Sequence, residues 1–219
     1  MRYRKPKNYK DKILEFDGDI IINSEEETKG RWHLFFENEN PIFVEIGMGK
    51  GKFILEHAVR NPDINYIGIE KIEPLIIGTA KNIKEMNLKN IKLISINANF
   101  IEDYFDESEI SKIFLNFSDP WPKKRNANKR LTHTNMLKKY ENILKSDSNI
   151  EFKTDNRDLF EFSVCETSNV NHKIEELQLD LHNHQFENDD ERIIKTEYEN
   201  KFVDMGKKIY RMKTKITKI

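Results

Sequence analysis

The sequence predicts an α/β fold, doubly wound around a mostly parallel, seven-stranded sheet that closes with an antiparallel hairpin. Three observations predict it. From residue 42 to residue 170, short apolar runs alternate with longer amphipathic stretches. Three of the chain's eight glycines stand within five residues, between the first apolar run and the first amphipathic stretch. Beyond residue 170 the pattern changes to strand-like alternation. A length of 219 residues suits one domain with an appendage, divided here into a basic arm and lead-in over residues 1–40 and a single domain over residues 41–219.

The elements follow in order. Residues 42–46 (Ile-Phe-Val-Glu-Ile) form a buried strand, and residues 52–60 a helix with Phe53, Ile54, Leu55, Ala58 and Val59 as its apolar positions. Residues 65–69 are the second strand, residues 73–86 a helix with Pro74 at a tolerated first-turn position, and residues 91–96 the third strand. Two further units pair a strand at 112–117 with a helix at 133–144, and a strand at 150–154 with a helix from 157 to about 165. Residues 173–181 and 207–215 make the closing hairpin, with the amphipathic segment 191–203 as a helix between them. In the lead-in, Ile20-Ile-Ile is a short strand or an anchoring patch, and residues 31–37 are a short helix before Pro41.

Composition limits the function. No apolar run approaches the roughly 18 residues of a membrane span, and the cationic N-terminus is followed by no apolar stretch of the kind a secretory signal needs. A single cysteine, Cys165, makes no internal disulfide and fits a reducing compartment, so a cytoplasmic location is expected. The histidines are scattered, with only His182 and His184 close together, and no metal site is expected. The net charge of −1 conceals a strong separation. Residues 1–12, 121–130 and 206–219 together hold 17 Lys/Arg and one acid, and the rest of the chain holds 20 Lys/Arg against 37 Asp/Glu. Three basic clusters on an acidic body suit an anionic partner if the fold brings them together.

The glycine cluster is Glu45-Ile-Gly47-Met-Gly49-Lys-Gly51. Glycine there lets the backbone turn sharply and approach a ligand, and the following helix start offers free N–H groups. A dinucleotide fingerprint needs Gly or Ala at position 52, where this chain has Lys52, and Glu45 would repel a pyrophosphate. An acid at that place favours a ligand with cationic groups, as in S-adenosylmethionine. Glu70, closing the second strand, stands where an acid accepts ribose hydroxyls, a feature shared with nicotinamide sites. Asn97, after the third strand, reads equally as a contact to an adenine edge or as an ordinary strand-end turn.

The fourth strand runs into Asn116-Phe-Ser-Asp119-Pro-Trp121-Pro-Lys-Lys-Arg125-Asn-Ala-Asn-Lys-Arg130. Strand carboxyl ends form the ligand crevice of such sheets, which makes Asp119 the leading catalytic candidate. Trp121 between two prolines is either a rim for base stacking or a packed residue. Five cations without an acid suit phosphate contact.

These stretches, with Val44–Gly51, Gly68-Ile-Glu70-Lys, Phe152-Lys-Thr-Asp155 and Thr196-Glu-Tyr-Glu199 followed by Lys201-Phe and Gly206, resemble the bacterial tRNA (guanine-N7)-methyltransferase family from about residue 2 to residue 213. The resemblance implies a Rossmann-like methyltransferase that uses S-adenosylmethionine to methylate N7 of the guanine at position 46 of the tRNA variable loop. It implies that Glu45, Gly47, Gly49, Gly51, Glu70, Asn97 and Asp119 hold the donor, with Asp119 also at the reaction centre. Lys123, Asp155, Thr196, Glu197, Tyr198 and Glu199 are then substrate positions, and Arg125, Asn126, Lys129 and Arg130 the loop that touches RNA. One departure is Asn97, where the family usually has Asp; the change keeps an acceptor, adds a donor and loses the charge. Rival readings are a nicotinamide oxidoreductase, a non-catalytic RNA-binding module and a methyltransferase for exocyclic nitrogens. Monomer and homodimer are both compatible with the sequence, and the acidic stretch 187–191 is expected to avoid RNA.

Overall fold

Parallel strands buried on both faces read as near-continuous apolar runs, and the runs at 42–46 and 65–69 become strands at the predicted boundaries. The structure, a computed structural model, describes residues 9–170, 172–183, 187 and 190–218. They fall into two compact units, one ending at Asp106 and the other beginning at Glu107.

The first unit contains α1 (Tyr9–Leu14), α2 (Glu25–Thr28), α3 (Trp32–Phe36), β1 (Ile42–Ile46), α4 (Lys52–Arg60), β2 (Asn65–Ile69), α5 (Glu73–Met86), β3 (Ile91–Ile94) and α6 (Ile101–Tyr104). Its strands are parallel, with β2 between β1 and β3. Helix α5 buries Ile76, Ile77, Ala80 and Ile83 on one face and stops where Asn87 takes a left-handed conformation. The Ile20–Ile22 patch anchors the lead-in: Ile22 donates its backbone N–H to Leu93, and Leu93 donates to Ile20. Trp32 is fully buried, stacked on Phe105 with its indole N–H on the Tyr104 carbonyl. Ile20–Ile22, Trp32 and Phe36 thus belong to the core of this unit. The arm's first eight residues lie outside the described residues.

The second unit contains β4 (Ile110–Asn116), α7 (Thr134–Ile143), β5 (Leu144–Thr154), α8 (Arg157–Asn169), β6 (Lys173–Gln178), α9 (Glu197–Asp204) and β7 (Tyr210–Lys215). β4 and β5 are parallel, and β7 runs antiparallel between β5 and β6. Among the described residues, seven strands, parallel except at the C-terminal hairpin, match the predicted class.

Several boundaries differ from the sequence expectation: β3 stops at Ile94, β4 starts at Ile110, β6 stops at Gln178 and β7 starts at Tyr210, and three further differences bear on the packing. β5 begins at Leu144, its exposed polar residues Lys145 to Asp147 having hidden the strand pattern. α8 continues past Cys165 to Asn169, and on this added turn Glu166 accepts the Thr134 N–H and hydroxyl, both at 2.6 Å, at the start of α7. The segment 191–203 is not one helix. A 3-10 turn at Glu191–Ile193 precedes α9, which starts only after Thr196 because Thr196 and Glu199 form a capping box.

Across one face of the second unit runs a buried ionic layer. Glu151 meets Lys112 at 2.9 Å and Arg211 at 2.6 Å, and Arg211 also holds Glu176 at 2.7 Å. Burial alone would raise the Glu151 pKa, but the two cations outweigh it and hold the carboxyl down to about 2.

Candidate active site

The glycine turn is built by the backbone. Gly47, Gly49 and Gly51 all have positive φ, at +80°, +58° and +75°. Gly47 and Met48 donate their N–H groups to the Ile69 carbonyl at the end of β2. The three glycines serve different needs. A Cβ on Gly47 or Gly49 would meet nothing within 4 Å, so those positions leave an open approach, whereas a Cβ on Gly51 would collide with Thr79 of α5. Gly68 on β2 leaves room for Met48, the turn's buried side chain.

Glu70 is fixed beside this turn. Its Oε2 accepts from the Gly49 N–H at 3.1 Å, and its Oε1 accepts from Lys71 and Ile72 at 2.9 and 3.0 Å. These bonds use three of a carboxylate's roughly four acceptor sites, so the sequence expectation of a carboxylate open to both hydroxyls of a ribose is narrowed. Glu45 is buried at the end of β1, 2% exposed. Asn97 follows β3, and its Oδ1 accepts from the Asn99 N–H at 3.1 Å, capping a short 3-10 turn. The strand-end role is therefore real, and this bond engages the amide oxygen rather than the NH2 group.

The Asp119 region is built differently. Phe117 and Trp121 have φ of +49° and +40°, a conformation that costs non-glycine residues about 1–3 kcal/mol each. Neighbouring groups hold them there. The Phe117 N–H bonds to the Lys153 carbonyl at 2.9 Å, and Arg130 donates Nε to the Pro120 carbonyl at 3.0 Å and Nη2 to the Trp121 carbonyl at 3.1 Å. Trp121 is half-buried, with Lys129 Nζ 4.9 Å from its ring centre. Asp119 itself is exposed. Lys123 and Arg125 are exposed at the start of the 3-10 segment Lys124–Lys129, which also carries Asn126.

Asn116 on β4 pairs with Lys153 on β5, so the stretches bearing Asp119 and Asp155 leave adjacent strand ends. Asp155 is paired with Lys207 at 2.9 Å, and Lys207 lies 4.4 Å from the ring centre of Phe202 on α9. Phe202 also meets Phe117 and Tyr198 at 6.0 and 6.3 Å between ring centres. Tyr198 is 55% exposed, and Glu199 beside it is fully buried.

A family model described as "Putative methyltransferase" matches residues 39–212. An enzyme named tRNA (guanine-N(7)-)-methyltransferase from Listeria monocytogenes serovar 1/2a is 47% identical over 206 residues, 94% of either chain. One of the same name from Bacillus licheniformis is 44% identical over 206 residues, covering 94% of this chain and 95% of that one. The chain belongs to the tRNA (guanine-N7)-methyltransferase family. Solved structures share the fold at lower identity: an antibiotic-related methyltransferase has a TM-score of 0.63 at 18% identity, covering 87% of this chain and 92% of that one. The 16S rRNA methyltransferase KamB has a TM-score of 0.63 at 11% identity, covering 84% of this chain and 94% of that one.

Sequence reasoning missed that Glu199 is the hub of the Thr196–Glu199 segment. Thr196-x-x-Glu199 before an amphipathic stretch is a capping-box pattern and was readable as such. Lys153 and His182, both bonded to Glu199, carry no local signal. The strand expected over 173–181 stops at Gln178, and His182 lies on a 3-10 turn, Leu181–Asn183; His184 lies outside the described residues. Of the acidic stretch, Glu191 pairs with Lys112 and Asp190 with Arg192, while positions 188 and 189 are outside the described residues.

Proposed function

We propose that the protein transfers a methyl group from S-adenosylmethionine to N7 of the guanine at position 46 of tRNA, acting as a single domain in the cytoplasm and producing 7-methylguanosine. Identity of 44–47% over some 94% of the chain to enzymes of that name is the observation that carries this reading. The residues present fit the donor: two glycines with positive φ leave open space above the turn, with a fixed carboxylate beside them. Glu45, Gly47, Gly49, Gly51, Glu70 and Asn97 would hold it, and when bound it supplies an electrophilic methyl on a sulfonium.

Guanine N7 is a ring lone pair with no proton to remove, so the chain's residues need to align and stabilise rather than act as a strong base. Alignment can supply up to about 7–11 kcal/mol of the barrier. The purine gains positive charge as N7 is alkylated, and Asp119 and Asp155 offset it while accepting from the guanine N–H edge. In this reading Asp155 exchanges Lys207 for the base. Lys123 and the exposed Glu197 and Tyr198 of the Thr196–Glu199 segment complete the base site, with Thr196 and Glu199 capping the helix that carries them, while Arg125, Asn126, Lys129 and Arg130 hold the RNA backbone.

Mass-spectrometric mapping of nucleosides after incubation with donor and unmodified tRNA tests the reaction; 7-methylguanosine is expected, and its absence overturns the reading. Asp119→Ala is expected to lower turnover by about 10²–10³ while retaining part of the donor affinity. Turnover like the wild type would remove Asp119 from the mechanism.

A further inference from the structure

We propose that Glu199, with Lys153 and His182, is a positioning cluster that fixes the start of α9 against the exits of β4 and β5, and that its carboxylate does not touch the nucleobase. This rests on the methyl transfer proposed above and concerns how that same base site is held.

The four residues of Thr196-Glu-Tyr-Glu199 divide by burial and bonding. Thr196 Oγ1 accepts from the Glu199 N–H at 2.9 Å, and Glu199 Oε2 accepts in return from the Thr196 N–H at 3.4 Å. The same Oε2 meets Lys153 Nζ at 3.4 Å, and Oε1 meets His182 Nε2 at 2.9 Å. Glu199 has no exposed surface and the Lys153 side chain only 4%. Burial would raise the Glu199 pKa, but the His182 hydrogen bond and the Lys153 charge lower it, so the group is an anion. A base could reach that carboxylate only by unwinding the helix start and stripping a buried lysine of its counter-ion. Glu197 and Tyr198, between the two caps, are the exposed members.

Lys153 connects this cluster to the reacting groups. Its carbonyl accepts from Phe117, two residues before Asp119, and Asp155 follows two residues on, just past the end of β5. Its Nζ also donates to the Ile194 carbonyl at 3.2 Å, on the approach to α9. One buried lysine thus ties the Asp119 turn, Asp155 and the helix bearing Tyr198 and Phe202 to a common reference.

A double-mutant cycle tests this with wild type, Glu199→Gln, Lys153→Met and the double variant. Methylation of tRNA is resolved into kcat and KM, donor affinity is measured by calorimetry, and melting reports folding. Each single variant leaves a buried charge or amide mismatched and is expected to raise KM for tRNA by about tenfold, with donor affinity unchanged. The double variant buries no net charge and is expected to recover to within a few-fold of wild type. A double variant as impaired as Glu199→Gln, or worse, would mean that the carboxylate acts on the substrate, and the proposal fails. Should the single variants not fold, His182→Phe removes one partner from the cluster's half-buried edge; a few-fold rise in KM at constant donor affinity is expected, and an unchanged KM overturns the proposal. Wild-type protein that makes no 7-methylguanosine would strike the methyl-transfer reading, whereas active wild type with an additive cycle strikes this inference alone.

Discussion

The glycine turn of the first unit and the Asp119 region of the second achieve order by opposite means. In the turn, the fixing groups are backbone N–H donors: Gly47 and Met48 onto Ile69, and Gly49, Lys71 and Ile72 onto Glu70. Around Asp119, side chains do more of the fixing: Arg130 bonds to the carbonyls of Pro120 and the strained Trp121, while the ion pairs Lys153–Glu199 and Lys207–Asp155 hold the neighbouring segments. A backbone-built site depends on conformational freedom and on space. A side-chain-built site depends on charge. The two regions should therefore fail under different perturbations.

Charge removal is expected to have the largest effect, and only on the second unit's framework. Glu151→Gln leaves Lys112 and Arg211 without their shared buried anion and should cost about 3–5 kcal/mol at neutral pH. Acid does the same without mutation. The Glu151 pKa is about 2 in the folded chain against an ordinary value of 4.5, so its contribution is fully present above pH 4.5. It is lost as pH falls from there towards 2, a total of about 3 kcal/mol. Chemical unfolding followed from pH 7 to pH 3 should show a smaller acid loss in Glu151→Gln than in the wild type; equal losses would show that the ionic layer does not govern acid stability.

A single methyl group should break the glycine turn. Gly51→Ala combines a left-handed φ of +75° with a collision against Thr79, whose hydroxyl oxygen would lie 2.9 Å from the new Cβ. Thr79 cannot swing aside easily, because it is buried and its hydroxyl bonds to the Leu75 carbonyl. A loss of about 3 kcal/mol is expected, with donor binding abolished. Gly49→Ala has the same conformational cost with open space at its Cβ and should lose only about 1 kcal/mol. Thermal melting of the two variants checks the difference, and equal losses would show that φ rather than contact with Thr79 decides the requirement.

This contrast also explains what could be read from the sequence. Apolar runs and helix periodicity placed the helices 52–60 and 73–86 at their observed ends, because each is decided by neighbours a few residues away. The glycine turn was legible for the same reason: positive φ leaves a mark in residue type. The partners of Asp155, Glu151 and Glu199 were not, since Lys207, Arg211 and Lys153 lie 52, 60 and 46 residues away and a lysine reads alike whether it is buried or solvated. By residue type alone the basic loop's five cations all suit phosphate contact, and Arg125 and Arg130 alike stand as RNA contacts. In the fold they are not equivalent, since Arg130 is bonded to the turn's own backbone and Arg125 is exposed.

That inequality gives the smallest and most discriminating expectation. If Arg125 contacts phosphate alone, Arg125→Ala should weaken tRNA binding and reduce the slope of log affinity against log salt by about 0.7–0.9, with kcat unchanged. Arg130→Ala removes two hydrogen bonds that hold the carbonyls of Pro120 and Trp121, so Trp121 loses support for its positive φ and Asp119 its fixed neighbour. Its effect should appear in kcat, by roughly tenfold, because alignment of the reacting group is what the strained turn provides. Salt titrations of binding and single-turnover rates separate the two arginines. A pure salt-slope effect in Arg130→Ala, with kcat intact, would show that the turn keeps its shape without that side chain and that the backbone, as in the glycine region, carries the geometry after all.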